Sequence, residues 1–224
     1  MTQHAQIPLW DDKTSMEKIE KLRQMVLDLY AYTLGAANQH LLALLDAAEP
    51  ANSTEAQSIA RMRDLISQHP NILSQNCEIG HVTASGLPVD VTSGRVLLIL
   101  HKKLRVWVPT GGHTENELDP AQTALRESRE ESNLPDLQFY PRPHPVDFDV
   151  HLIPQMLDRP EHLHLDFRYV LSTRQPDSAR VSPDEALDMR WMPFEAVYAA
   201  DDVMPDVKRL TRKAQAIYER EGEL

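Results

Sequence analysis

The chain holds one cysteine, Cys77. That excludes an internal disulfide framework and a zinc cluster of cysteines, and it removes any argument for secretion. Glycine is also scarce, with 7 in 224 residues. An adjacent pair, Gly111 and Gly112, therefore marks a special bend. Basic residues are in deficit: 23 Lys and Arg against 34 Asp and Glu give a formal charge of −11. Such a balance argues against general nucleic-acid binding, which depends on a basic surface. An anionic substrate is still compatible, because bound cations invert local charge. No apolar run reaches membrane length and no basic-then-apolar signal segment is present, so the expectation is a cytoplasmic protein with no membrane partner. Internal repeats and low-complexity segments are absent as well.

What is present is an ordinary globular composition, 42% hydrophobic and 25% charged, long enough for one domain plus an extension. Residues 1–75 read as helical. Thr14 and Glu17 have capping-box spacing, and Ile19, Leu22, Val26 and Leu29 repeat at helical intervals. Gly35 is expected to break or kink this run before Leu41, Leu42, Leu44 and Leu45, and Pro50 to end it. A second helix is expected from about Asn52–Thr54, carrying Ala56, Ile59, Met62 and Leu65 and stopping before Pro70. Amphipathic helices of this kind bury their stripe on a main domain; a dimer surface or a lid is the alternative.

The most informative stretch runs from Gly111 to Leu134. Asp119 is placed to cap a helix whose first position is Pro120, and Asn133 stands where a left-handed residue closes one. On that helix Glu127, Glu130 and Glu131 lie at i, i+3 and i+4 and share a face. Three carboxylates on one face repel, and a divalent cation with oxygen ligands removes the conflict. A solvated acidic surface helix is the plainer reading of the acids alone.

The stretch as a whole resembles the Nudix box: a glycine, a glutamate six residues on, then Arg-Glu, an aliphatic residue, any residue, Glu-Glu, any residue, glycine and an aliphatic residue. Gly112, Arg126, Glu127, Glu130, Glu131 and Leu134 fall in register with it. Three positions depart: Leu118 replaces the first glutamate, Ser128 the aliphatic residue and Asn133 the glycine. Arg126 then needs Glu117, Glu115 or Glu130 as its partner. The resemblance implies an α+β fold, a Nudix-type α/β/α sandwich with a curved mixed sheet. Here it would carry an N-terminal helical extension, residues 1–75, ahead of a Nudix domain at 78–224. It also implies a hydrolase of phosphoanhydride bonds in a nucleoside diphosphate linked to another group, using Mg2+ or Mn2+. Glu127, Glu130, Glu131 and the Gly112 carbonyl would hold the metal. Glu130, Glu131 and Arg126 would serve the catalysis, with Glu185, in a late acidic loop, as a further acid. Its partner is a small diphosphate substrate; a homodimer is compatible.

Two other classes stay open. A non-catalytic Nudix-like sensor binding a nucleotide-derived ligand is favoured by Leu118. A Nudix-fold isoprenoid-diphosphate isomerase would need an active-site cysteine, and Cys77 precedes the first strand. Elsewhere, strands are expected at His81–Ser85, Arg95–His101 and Val106–Val108, and Lys102, Lys103 and Arg105 either meet substrate phosphates or form a solvated hairpin tip. Further on, Val146–Leu152 and His162–Leu171 alternate with period two. One face takes Asp147, Asp149 and His151; the other strand supplies His162, His164, Asp166 and Arg168. If the strands pair, these converge as a substrate wall (His162, His164, Asp166), as the wet face of a sheet, or as a transition-metal site of imidazole and carboxylate. Val207, Leu210, Ala214 and Ile217 announce a closing helix.

Overall fold

The computed structural model describes residues 12–102, 105–115, 117–155, 159–183 and 186–222, with side chains in the first helix at 16, 18–31 and from 33 on. The N-terminal part is two helices, α1 (Asp12–Asp46) and α2 (Ser53–Gln68). Gly35 does not interrupt α1, which is a correction to the expected break. One exposed glycine costs a helix only about 1 kcal/mol, and the turns after it are held by Ala37, Leu41, Leu44 and Leu45, all buried. Thr14 lies inside α1, since helical backbone already begins at Asp12; its side chain and that of Glu17 are outside the described residues. The second helix starts as expected. Asn52 accepts from Glu55 N at 3.0 Å, and Glu55 reaches back to Ala51 N at 2.7 Å.

A mixed sheet follows. Its strands are β1 (Gly80–Asp90), β2 (Arg95–His101), β3 (Trp107–Val108), β4 (Thr110–His113), β5 (Gln138–Phe139), β6 (Asp147–Ile153), β7 (His162–Thr173) and β8 (Ala186–Pro193). The remaining helices are α3 (Pro120–Ser132), α4 (Phe194–Ala199) and α5 (Pro205–Glu221). The continuous path is β3-β2-β1-β7-β5. β1 and β7 run parallel along their whole length, from Gly80↔Leu163 to Asp90↔Thr173. One end of β1 pairs with β2 and the other with β4, so neighbours diverge and the sheet curves.

Alternation assigns the two faces. Val82 and Ala84 of β1, with Leu165, Phe167 and Tyr169 of β7, join Ala121 and Ala124 of α3 and the buried residues of α1 and α2 in one core. Leu87 and Val89 point the other way, into a core closed by Val207, Leu210, Ala214 and Ile217 of α5, the residues the sequence marked for that helix. Helices thus cover both sides of an open sheet. The extension is fixed to the domain by more than apolar contact. Glu55, fully buried, accepts from Phe148 N at 3.2 Å and pairs with Lys213 of α5.

Candidate active site

The helix α3 is punctuated as expected. Asp119 accepts from Ala121 N at 3.0 Å, Pro120 is the first residue, and Asn133 closes the helix with φ 56°. Gly111 and Gly112 lie in β4, opposite Ser85 and Ala84 of β1, rather than in the bend their pairing suggested, and the close approach there needs them. Gly111 has φ 157°, and a Cβ there would lie 2.7 Å from the Ala84 carbonyl. A Cβ on Gly112 would lie 2.5 Å from the Glu127 carboxylate and would push that side chain aside. Glu131 ties the same strand to α3, accepting from Gly111 N at 2.8 Å.

Arg126 ties the loop to the acids. Its Nε donates to Glu117, its other nitrogens to Glu127 (2.9 Å), Glu130 (3.2 Å) and the His113 carbonyl (2.9 Å). Of the three candidates, Glu117 and Glu130 both partner Arg126, Glu117 through the less exposed contact. Burial opposes the charge of Glu117, yet the Arg126 guanidinium and the backbone N–H of Glu115 hold its carboxyl at about 2. Leu118 is exposed and lines a separate hollow with His40 and Asp119, away from the acids. The departure at 118 thus leaves Arg126 supported, because the loop delivers its neighbour. Ser128 is accounted for too. A Cβ on Gly86 would lie 2.3 Å from its Oγ, and that Oγ sits 2.7 Å from the Thr110 hydroxyl, which donates to the Gly86 carbonyl. A larger side chain has no room against β1.

These acids open onto a cleft of about 750 Å3, the size of a small-ligand site. Glu127, Glu130 and Glu131 form one side, and Asp149, His151, His164, Asp166 and Arg168 another. β6 and β7 pair as the period-two pattern suggested, with Asp149↔Asp166 and His151↔His164 opposite. The polar set is not a wet face, which corrects that reading: Asp147, Asp149, Asp166 and Arg168 are all buried. Burial is possible because Arg168 meets Asp166 (2.7 Å), Asp206 (2.9 Å), Asp149 (3.4 Å) and Asp147 (3.6 Å). Asp147 in turn takes Arg209 in a two-pronged pair at 2.7 and 2.8 Å. Asp166 also accepts from Ser85 (2.8 Å) and Thr83 (3.2 Å) on β1. Asp206, at the start of α5, carried no sequence signal; it is an ordinary helix-start acid until α5 is placed over β7.

The remaining candidates divide. Lys102 lines the cleft and donates to the Pro183 carbonyl at 3.1 Å. Arg105 is exposed, with φ 58°, and is not among the cleft-lining residues. His162 is buried and is not among the cleft-lining residues either. Lys103 and Glu185 lie outside the described residues. Cys77 is buried in the core shared with α1 and α2, which removes the isomerase reading's cysteine from the cleft.

The donor set fits a divalent cation. Burial raises the Glu127 carboxyl above its ordinary range; Arg126 acts against this, while Glu130 and Glu115 add to it. Carboxylates gathered at a glycine-bearing strand, one of them held partly against its own charge, suit a hard cation with oxygen ligands.

An open mixed sheet between helices, with a glycine-bearing strand and an acid-bearing helix at one cleft, is the arrangement of the Nudix type. The family model described as NUDIX domain matches residues 80–214, and the chain belongs to that family. It is an enzyme of the pyrophosphohydrolase class. Among solved structures it is similar to a NUDIX-family hydrolase from Clostridium perfringens, at 25% identity over 61% of this chain and 97% of that one, TM-score 0.48. An Ap4A hydrolase from C. elegans aligns at 19% identity over 62% and 98% of the two chains, TM-score 0.46. The NUDIX domain of Shewanella oneidensis NrtR, complexed with ADP ribose, aligns at 16% over 60% and 86%, TM-score 0.42. A comparison with curated proteins finds no match.

Proposed function

We propose that the protein is a divalent-metal-dependent hydrolase that cleaves the phosphoanhydride bond of a nucleoside diphosphate linked to another group. The observation that carries this is the junction of Gly112 with Glu127 and Glu131 at the cleft, where a Cβ would displace the Glu127 carboxylate. Glu127, Glu131 and the Gly112 carbonyl hold the cation, with Glu130 completing the set or orienting water. Mg2+ or Mn2+, when bound, polarises a phosphoryl oxygen, lowers the pKa of its water and neutralises the leaving phosphate. Arg126 keeps the acids in place through its four contacts, and Lys102 stands at the cleft to meet phosphate oxygens. Glu185 is retained as a further acid of the late loop.

Metal dependence is also favoured by how the cleft's cations are used. Arg126 and Arg168 are both bound to carboxylates. The charge of a diphosphate therefore falls to bound cations rather than to these guanidiniums. The sensor reading rested on Leu118, and Glu117 supplies the contact to Arg126 that it took as missing.

The test is product release over a panel of nucleoside diphosphate derivatives, dinucleotides and triphosphates, with Mg2+ or Mn2+ and with chelator. Turnover that stops with chelator and returns with metal is expected, and it names the substrate class. Ligand-induced stabilisation without turnover would transfer the assignment to the sensor.

The helical extension has two parts in this reading. Its second half belongs to the core, and a homodimer is assigned to its first half. There Ile19, Leu22, Val26 and Leu29 are each about half to two-thirds exposed and keep the three-and-four spacing by which helices pair. A second copy of α1 is the occupant. Leu22→Asp with Leu29→Asp is expected to convert a dimer to a monomer by sedimentation, at unchanged thermal midpoint. A monomeric wild type would end this assignment. No helix among the described residues is long and apolar enough to cross a membrane; with one buried free thiol, we assign the chain to the cytoplasm.

A further inference from the structure

Five histidines converge where β1, β4, β6 and β7 meet. Register accounts for it: His81 lies beside His164 in the parallel pair, His113 opposite Thr83, and His151 opposite His164. We propose that His81, His113 and His164 form a second metal site, for a transition ion of the zinc class, separate from the carboxylates of α3.

One ring nitrogen from each of the three lies within 4.8 Å of the others. Their ring centroids are 4.9 to 5.0 Å apart. A tetrahedral ion with bonds of about 2.0–2.1 Å spaces its ligands roughly 3.4 Å apart, so ring rotations of about 1 Å close the set around an ion. Imidazole nitrogens select zinc, copper or nickel, whereas the α3 acids offer the oxygens that magnesium takes. The two sites therefore differ in the ion they hold.

The hydrogen-bond account is what calls for an ion. His81 is 0% exposed and, among the described residues, neither of its ring nitrogens has a partner. Buried polar atoms in folded proteins are nearly always paired, and an imidazole with both nitrogens orphaned is a costly exception. The Nε2 atoms of His164 and His162 are likewise buried and unpartnered. His162 is prepared in a further way. Its Nδ1 lies 2.9 Å from the Pro160 carbonyl and so donates there, leaving Nε2 as a bare lone pair in a ring stacked 5.0 Å from His81. That second contact is the arrangement by which proteins orient a histidine ligand, and it makes His162 the nearest reserve for a fourth position. An ion here would tie β1, β4 and β7 together directly beside Gly112.

The experiment uses full-length protein without a histidine tag, stripped with chelator and returned to excess Mg2+. Cobalt is then titrated as the probe, followed by displacement with zinc. One equivalent of Co2+ with the visible absorption of a four-coordinate nitrogen-rich site is expected, persisting in Glu131→Gln. His81→Gln and His164→Gln should weaken binding on the order of 100-fold. Because His81 is buried, His113→Gln at the half-buried position is read beside it, with circular dichroism confirming the fold. Folded His113→Gln that binds Co2+ like wild type overturns the proposal. So does the absence of Co2+ binding in excess Mg2+, or its loss in Glu131→Gln.

Discussion

Glu131→Gln is expected to lower kcat on the order of 10²–10³-fold with the fold intact, the scale at which loss of one electrostatic group at a reacting centre is felt. Glutamine keeps the shape of the side chain and still offers an oxygen to Gly111 N–H, the contact now made at 2.8 Å. The variant therefore removes charge and leaves the strand contact in place. Glu127 and Glu130 lie on the same helical face, so losing one carboxylate lessens their mutual repulsion, and the thermal midpoint without metal should hold or rise. With metal the order reverses, because the wild type gains binding free energy that the variant loses. Turnover at varied Mg2+ and melting with and without Mg2+ read the two effects apart. Wild-type turnover in Glu131→Gln would refute the central assignment, and a collapsed fold would show that the side chain serves the strand contact alone.

Much of this was readable in advance because the signals were local. Asp119, Pro120 and Asn133 each act on backbone within a residue or two, and they bound α3 as read. Period-two alternation marked the polar faces of β6 and β7, and left their pairing as a condition that the structure meets. Distant packing was less legible. Whether Glu115, Glu117 or Glu130 supports Arg126 depends on how a loop folds over a helix, and the sequence left all three open. Gly35 invited a break because helix propensity is local, whereas the burial of Leu41, Leu44 and Leu45 that holds the helix is tertiary. The polar wall looked solvated since nothing in the strand pattern tells that α5 will cover it. Nothing in the sequence joined His81 and His113 to His164: each is one histidine in its strand, and only the parallel register of β1 with β7 and the pairing of β1 with β4 make them neighbours.

The wall beneath the cleft supplies the second large effect. Arg168→Met is expected to destabilise the fold by about 3–5 kcal/mol, since removing one member of a buried ionic group leaves the others uncompensated. Asp166, Asp149, Asp147 and Asp206 all lie within 3.6 Å of this guanidinium, and only Asp147 and Asp149 have Arg209 as a further partner. A methionine fills the volume, so the loss reports charge rather than a cavity. The pH dependence distinguishes the two. In wild type, burial works to raise the Asp149 carboxyl, but the His151 contact and Arg168 hold it at about 2 against an ordinary 3.8. A depressed folded value gives stability that is present above the unfolded value and is lost as pH falls through about 2. Without Arg168 that depression lessens, because one of its causes is gone while the His151 and Arg209 contacts stay, so the variant has less of this stability to lose in acid. The gap between variant and wild type should therefore narrow as pH falls from about 4 toward about 2, read as urea midpoints across that range. A gap independent of pH would mean that Arg168 acts by packing, and that the acids around it are held by the remaining cations and hydroxyls.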